Sequence, residues 1–246
     1  MTFALALQDE SRLVLDTAIL IYKSASAEAY ATKHTITRTG QAPALGAGKP
    51  LTRKALGNIV AMLGKGANTG SYLSPKILSI GFDYMIWHEA PTQQNVFFKE
   101  RTASTSTASI GTRGGNAPQP GLVFAVRGNN WWVFSVKGAD RPTPTTELCH
   151  SPYWNVNQSG AICTGNVKTP GCADPDSIEE WRRVFFASNF THSNFHGAKQ
   201  VEGKGGMGAL WTDLLDGKYK KFPQKKLIPN GMTLSQLIQK TNSGGN

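Results

Sequence analysis

The residues with most to offer chemistry lie in one segment, Pro152-Tyr153-Trp154-Asn155-Val156-Asn157-Gln158-Ser159-Gly160-Ala161-Ile162-Cys163. A cysteine thiolate is a good nucleophile and a good leaving group, so one sulfur serves both halves of an acyl exchange. Eight positions before Cys163, Asn155 carries a carboxamide, a group that donates hydrogen bonds to negative charge building on an oxygen. Taken alone, a cysteine is more often an inert buried thiol. Cys149 and Cys172 have no paired spacing with it or with each other. Three cysteines, an odd number without a CxxC, indicate no disulfide framework and suit a reducing cytoplasm. The set Cys149, Cys163, Cys172, His192 and His196 lacks the paired ligand spacing of a zinc site. Gly46-Ala47-Gly48-Lys49-Pro50 has a lysine after glycines but not the spacing of a phosphate-binding loop, and is expected to form a turn.

Several elements are expected to position that segment. Arg12–Tyr22 and Ala27–Thr37 are β-rich runs around Ser24-Ala25-Ser26, an opening hairpin. After the Gly/Pro stretch Gly40–Pro50, Thr52 caps a helix with Leu56, Ile59, Val60 and Leu63 at helical spacing, ended by Gly64 and Gly66. Ile77–Trp87, Asn95–Lys99, Leu122–Arg127 and Trp131–Lys137 are four strand-like runs, expected to form an antiparallel meander. Gly128-Asn129-Asn130 makes the last turn, and Thr102–Pro120, rich in Thr, Ser, Gly and Pro, is expected to be a long mobile loop. Trp131 and Trp132 must face opposite sides of their strand, one towards the core. Beyond the Pro-containing link Arg141–Pro144 and an irregular stretch, a helix starts at Asp176 or Ser177 with Glu179 and Glu180 placed for a capping box. Its residues Ile178, Trp181, Val184 and Phe185 share one face. Met207–Leu215 is a second helix, and Thr233-Leu234-Ser235-Gln236 caps a third. Strands followed by helices give an α+β fold, with an N-terminal hairpin-and-helix extension over 1–66 and the main domain over 67–246.

Composition excludes several classes. The 246 residues are 39% hydrophobic and 17% charged, too apolar for a disordered chain. Apolar runs such as Ala18–Tyr22 are far short of the roughly 20 residues that cross a bilayer. The start, Met1 to Leu7, lacks a basic region and runs into Asp9-Glu10, unlike a signal peptide. The net charge, 26 − 16 = +10, is concentrated late in the chain, at Lys199, Lys204 and the cluster Lys218–Lys226. With no helix-turn-helix signature and no aromatic platform between basic residues, nucleic acid is not the expected partner. The lysine cluster is expected to be a solvated surface, and Ser243-Gly244-Gly245-Asn246 a flexible tail.

The segment around Cys163 resembles the active-site segment of ubiquitin-conjugating enzymes, in which a His-Pro-Asn tripeptide precedes Gly-x-Ile-Cys. Asn155 keeps the family spacing to the cysteine, and Gly160, Ile162 and Cys163 match in identity. Tyr153 and Trp154 replace the His and Pro, and Thr164 stands where the family usually has leucine. A second resemblance covers most of the chain. Ala29-Tyr30-Ala31-Thr32-Lys33-His34, Leu45-Gly46-Ala47-Gly48-Lys49-Pro50-Leu51-Thr52 and Gly121-Leu122-Val123-Phe124-Ala125-Val126 look like PRTRC system protein B. That is a bacterial, mobile-element family in a prokaryotic branch of the same superfamily.

These resemblances imply the ubiquitin-conjugating fold and a carrier that holds a ubiquitin-like protein on Cys163 as a thioester and passes it to an amine. Asn155 would face the oxyanion, and His192, 29 positions after the cysteine, would act as base or orienting group, with Asp174 and Asp176 as lesser candidates for that task. The implied companions are a ThiF-type adenylating enzyme, the ubiquitin-like protein and a JAB-type metalloprotease. The carrier itself would need no cofactor. The replacement of His-Pro by Tyr-Trp also fits an inactive member that only binds its partner.

Overall fold

Side-chain alternation assigns the central strands of the main sheet to two cores at once. In Gly121–Arg127, Leu122, Phe124 and Val126 enter one core while Val123 and Ala125 enter the other; in Tyr84–Glu89, Met85 and Trp87 oppose Tyr84 and Ile86. The computed structural model describes residues 15–23, 29–39, 42–63, 72–81, 83–99, 109–164, 167–195 and 198–243. They divide into two units, 1–71 and 72–246.

In the first unit, β1 (Thr17–Lys23), β2 (Ala29–Thr39) and β3 (Ala42–Pro50) form an antiparallel sheet in that order, followed by α1 (Arg53–Leu63). The expected hairpin is present, but it carries a third strand. Ala42–Pro50 is a strand, so Gly46–Pro50 is not the expected turn. The glycines there serve close packing. A Cβ on Gly48 would lie 2.6 Å from the His34 ring, and one on Gly46 would lie 2.8 Å from the Thr35 carbonyl oxygen. The His34 ring fills that space, with Nε2 2.8 Å from Thr32 Oγ1 and Nδ1 2.9 Å from the Gly46 carbonyl. Thr52 Oγ1 accepts the Ala55 N–H at 3.2 Å, the cap expected for α1. The expected stop at Gly64 and Gly66 lies outside the described residues, as do Met1 to Leu7 and Gly244 to Asn246.

The second unit is built on a six-stranded sheet, in the spatial order β12 (Pro229–Thr233), β10 (Glu147–Cys149), β9 (Asn130–Val136), β8 (Gly121–Arg127), β5 (Tyr84–Glu89), β4 (Ile77–Ile80), all paired antiparallel. A three-stranded sheet of β11 (Asn189–Phe190), β6 (Gln93–Lys99) and β7 (Thr112–Pro118) stands apart from it. The strands expected to form one four-strand meander are therefore distributed over two sheets. Ile77–Trp87 is not one strand but the hairpin β4–β5, turned where the Gly81 N–H donates to the Tyr84 carbonyl at 2.9 Å. Of the loop expected at Thr102–Pro120, residues 102–108 lie outside the described residues, and β7 occupies its second half, paired with β6 from Gln93↔Pro118 to Lys99↔Thr112. β7 reads TRGGNAP, with almost no β-forming side chains. Pairing with β6 overrides that local preference, and Gly114 is needed there, since a Cβ would lie 2.7 Å from the Phe97 ring.

The turn at Gly128 forms as expected, with φ 53° at the glycine and Arg127 opposite Asn130. Trp131 is buried in the larger core, and half-buried Trp132 faces the other side, against the smaller one. α2 (Ile178–Phe186) buries Ile178, Trp181, Val184, Phe185 and also Phe186. Its start differs from expectation: Ser177 makes no side-chain cap, and Asp174 instead caps a preceding 3-10 turn by accepting the Asp176 N–H at 2.9 Å. α3 (Gly206–Leu215) adds Met207, Leu210, Trp211 and Leu214 to the larger core. α4 (Leu234–Ser243) opens on the expected box, with the Thr233 N–H donating to Gln236 Oε1 at 2.8 Å, and covers the other face through Leu234 and Leu237. Among the described residues, no helix is long and apolar enough to cross a membrane.

Candidate active site

The order of elements brings the Cys163 segment to one end of β9. Val156 and Ile162 pair antiparallel, and the Ile162 N–H donates to the Trp131 carbonyl at 2.9 Å while the Val133 N–H donates to Gly160 O at 2.9 Å. A short hairpin thus extends the main sheet. Its turn is held by one side chain: Asn157 Oδ1 accepts from Ser159 N, Ser159 Oγ and Ala161 N at 2.9, 2.7 and 3.1 Å. Gly160 is required at the tip, because its φ is 84° and a Cβ would lie 2.5 Å from the buried Phe134 ring.

Upstream, the chain is pinned by residues far away in sequence. Tyr153 and Trp154, only 0% and 2% exposed, are set among Phe98, Phe185, Phe190 and Trp211. Burying two such rings is worth about 1.5–3 kcal/mol each, so these residues serve as core anchors. Tyr153 Oη donates to Gln119 Oε1 at 2.5 Å, and burial pushes its phenol well above the ordinary value. Gln200 Nε2 donates to the carbonyls of Ser151 and Tyr153 at 2.7 and 2.8 Å, and Trp211 Nε1 donates to that of Pro152 at 2.6 Å. Gln119, Gln200 and Trp211 carry no local sequence signal for this duty, since their partners lie 34 to 59 positions away.

From these anchors the chain emerges at Asn155, which adopts φ 65°, the one non-glycine positive φ among the described residues. Asparagine tolerates this left-handed backbone better than most side chains. Its backbone then bridges the other two predicted residues. The Asn155 carbonyl accepts the Cys163 N–H at 2.7 Å, and the Asn155 N–H donates to the His192 carbonyl at 3.1 Å. Asn157 pairs with Asn194 in the same direction, so 155–157 runs between 161–163 on one side and 192–194 on the other.

The Asn155 carboxamide braces this layer. Nδ2 donates to Asn189 O at 2.8 Å, and Oδ1 accepts from Thr191 Oγ1 at 3.2 Å and Thr191 N at 3.4 Å. An amide nitrogen has two hydrogens, so one remains beyond the bond to Asn189. Cys163 is exposed, and His192 is exposed with Nδ1 2.9 Å from Thr191 Oγ1. Thr191 was not singled out by the sequence; its place beside His192 was the only available signal.

The remaining candidates lie elsewhere in role. Cys149 is buried, and burial pushes its thiol up to about 11. Cys172 is exposed, and its carbonyl accepts the Trp181 indole N–H at 3.0 Å. Asp174 is committed to its 3-10 turn, and Asp176 is exposed. No group of three or more metal-ligating side chains occurs among the described residues, and His196 lies outside them. In the basic cluster, Lys218 pairs with Asp213 at 2.5 Å, while Lys220, Lys221 and Lys225 are exposed.

A family model described as prokaryotic E2 family D matches residues 55–230, which contain every element that positions this site. No curated protein and no solved structure matches the chain.

Proposed function

The chain belongs to prokaryotic E2 family D, and from that premise we propose that it is a ubiquitin-conjugating-like carrier. It accepts a ubiquitin-like protein on Cys163 as a thioester and transfers it to an amine. The observation that carries this reading is an exposed thiol whose backbone N–H is tied at 2.7 Å to Asn155, whose own N–H is tied at 3.1 Å to the carbonyl of His192, also exposed. In the first step the Cys163 thiolate attacks the carbonyl of an incoming thioester and displaces its sulfur. In the second, an amine attacks the new thioester and the Cys163 sulfur leaves. The free Asn155 amide hydrogen is the donor to the oxyanion, worth roughly 3–4 kcal/mol for such groups. His192 receives the amine proton.

The N-terminal and central segments support the more specific assignment to the PRTRC system protein B family, and with it a bacterial cytoplasmic setting. Under this reading the partners are a ThiF-type adenylating enzyme that uses ATP, the ubiquitin-like protein, and a JAB-type metalloprotease that removes it. The test mixes the adenylating enzyme, modifier and ATP with this protein. A thiol-sensitive adduct on a non-reducing gel, lost in Cys163→Ala, supports the carrier. An adduct unchanged in that variant refutes it.

A second reading is a binding module that keeps the fold without the chemistry. It is favoured by Tyr153 and Trp154, which stand as core anchors in place of His-Pro, and by Asn155, whose side chain already braces the 189–191 backbone. Stable complex formation by Cys163→Ala, with no thioester trapped on the wild type, selects it.

A further inference from the structure

Hydrogen-bond roles around Asn155 can be assigned from backbone groups whose chemistry admits no choice. The Asn189 carbonyl only accepts, so the Asn155 atom 2.8 Å from it is the amide nitrogen. The Thr191 backbone N–H only donates, so the atom facing it at 3.4 Å is the amide oxygen. Together these fix the carboxamide orientation. The amide oxygen is purely an acceptor, so Thr191 Oγ1, 3.2 Å away, is the donor in that contact.

A hydroxyl has one hydrogen. With it committed to Asn155 Oδ1, Thr191 Oγ1 can only accept from His192 Nδ1, 2.9 Å away on its other side. The neutral His192 ring then carries its hydrogen on Nδ1. The lone pair is on Nε2, the nitrogen of this exposed side chain that faces away from Thr191.

We infer that Thr191 is a positioning residue that sets the tautomer of His192, leaving Nε2 free to take a proton. This rests on the carrier reading above for its purpose, but not for its geometry. In the transfer step the amine nitrogen bonds to the thioester carbonyl carbon and the carbon–sulfur bond breaks. The amine proton goes to His192 Nε2, and the electron pair of the broken bond stays on the Cys163 sulfur. Return of that proton to the thiolate regenerates the thiol and the neutral ring. The opposite tautomer, with hydrogen on Nε2, has no lone pair to offer at that position.

The chain Asn155–Thr191–His192 also couples two functions in one loop. The same carboxamide that offers a hydrogen to the oxyanion orients, through Thr191, the ring that receives the proton. Position 191 therefore needs a hydroxyl. Serine preserves the arrangement, and valine, of nearly the same shape, removes it.

The experiment is a long-range proton–nitrogen NMR correlation of His192 in the 15N-labelled full chain, at a pH where the ring is neutral. The expected spectrum has a protonated, pyrrole-like Nδ1 and an unprotonated, pyridine-like Nε2. In Thr191→Val the ring reverts towards the Nε2-protonated form that free histidine favours, and Thr191→Ser retains the wild-type signature. A wild-type ring protonated on Nε2 overturns the inference, as does a Thr191→Val spectrum identical to wild type. Single-turnover transfer of the Cys163 thioester to free lysine is the second readout. It falls about tenfold or more in Thr191→Val, where the base is mis-set but not removed, towards the roughly hundredfold or greater cost of losing a general base outright, and Thr191→Ser restores it. An unchanged rate in Thr191→Val contradicts the purpose assigned here. The spectrum needs no thioester, so a protein that never loads the modifier refutes the carrier and leaves the tautomer decided by the spectrum.

Discussion

Asn155 does two separable things at the residue scale. Its backbone takes φ 65° and links Cys163 to His192, while its carboxamide braces 189–191 and keeps one hydrogen to donate. Glycine accepts the backbone and removes the carboxamide, so Asn155→Gly isolates the second role. In that variant the thioester on Cys163 is expected to form normally while its transfer to an amine slows roughly a hundredfold or more, the usual cost of losing one oxyanion donor. Separate loading and discharge assays check this, and equal losses in both would assign Asn155 to bracing alone. The register of Asn155, Gly160, Ile162 and Cys163 was legible in the sequence because all four belong to one hairpin, where contact follows from spacing. The hydroxyl of Thr191 was not, because its meaning comes from the fold that returns 189–192 to Asn155.

At the scale of elements, the segment before the site is held by donors from later in the chain. Gln200 is buried and gives both amide hydrogens to the Ser151 and Tyr153 carbonyls. Gln200→Glu keeps the shape and replaces two donated bonds with a buried carboxylate facing two carbonyl oxygens. The expected loss is about 2–4 kcal/mol of unfolding free energy, measured by urea titration. A loss under about 0.5 kcal/mol would mean that water replaces the clamp. Elements with a strong local pattern were readable: the Thr52 and Thr233 caps, the buried face of α2, and the Gly128 turn. Those made by pairing were not. β3 carries Gly46 and Gly48, the second making room for the His34 ring, and β7 has scarcely any strand-forming residue, so each exists because a neighbouring strand supplies its hydrogen bonds. The separation of β6 from the main sheet was hidden for the same reason, since its hydrophobic residues announce a strand but not its partner.

For the whole molecule, a buried histidine, His88, and a half-buried one, His150, make stability depend on pH. His88 is held below the ordinary imidazole value by burial, with the Arg141 charge adding to it, and His150 is held below it by burial. The folded chain resists protonation of both, while the unfolded chain protonates them near 6.5. Their contribution is present in full above that value and is lost as pH falls from it through the lower folded values. The urea midpoint is therefore expected to be lower at about pH 5.5 than at about pH 7.5, with a smaller difference in His88→Gln. A pH difference unchanged in His88→Gln would contradict the role given to that ring. Above this stability stands the carrier chemistry, which a mass measurement tests most directly. Wild-type protein incubated with the adenylating enzyme, ubiquitin-like protein and ATP, then analysed intact without reductant, is predicted to gain the modifier mass less one water. That gain should map to Cys163, be reversed by added thiol and be absent from Cys163→Ala. An adduct mapping to a lysine from the outset, or no adduct although the adenylating enzyme itself is charged, would contradict the account.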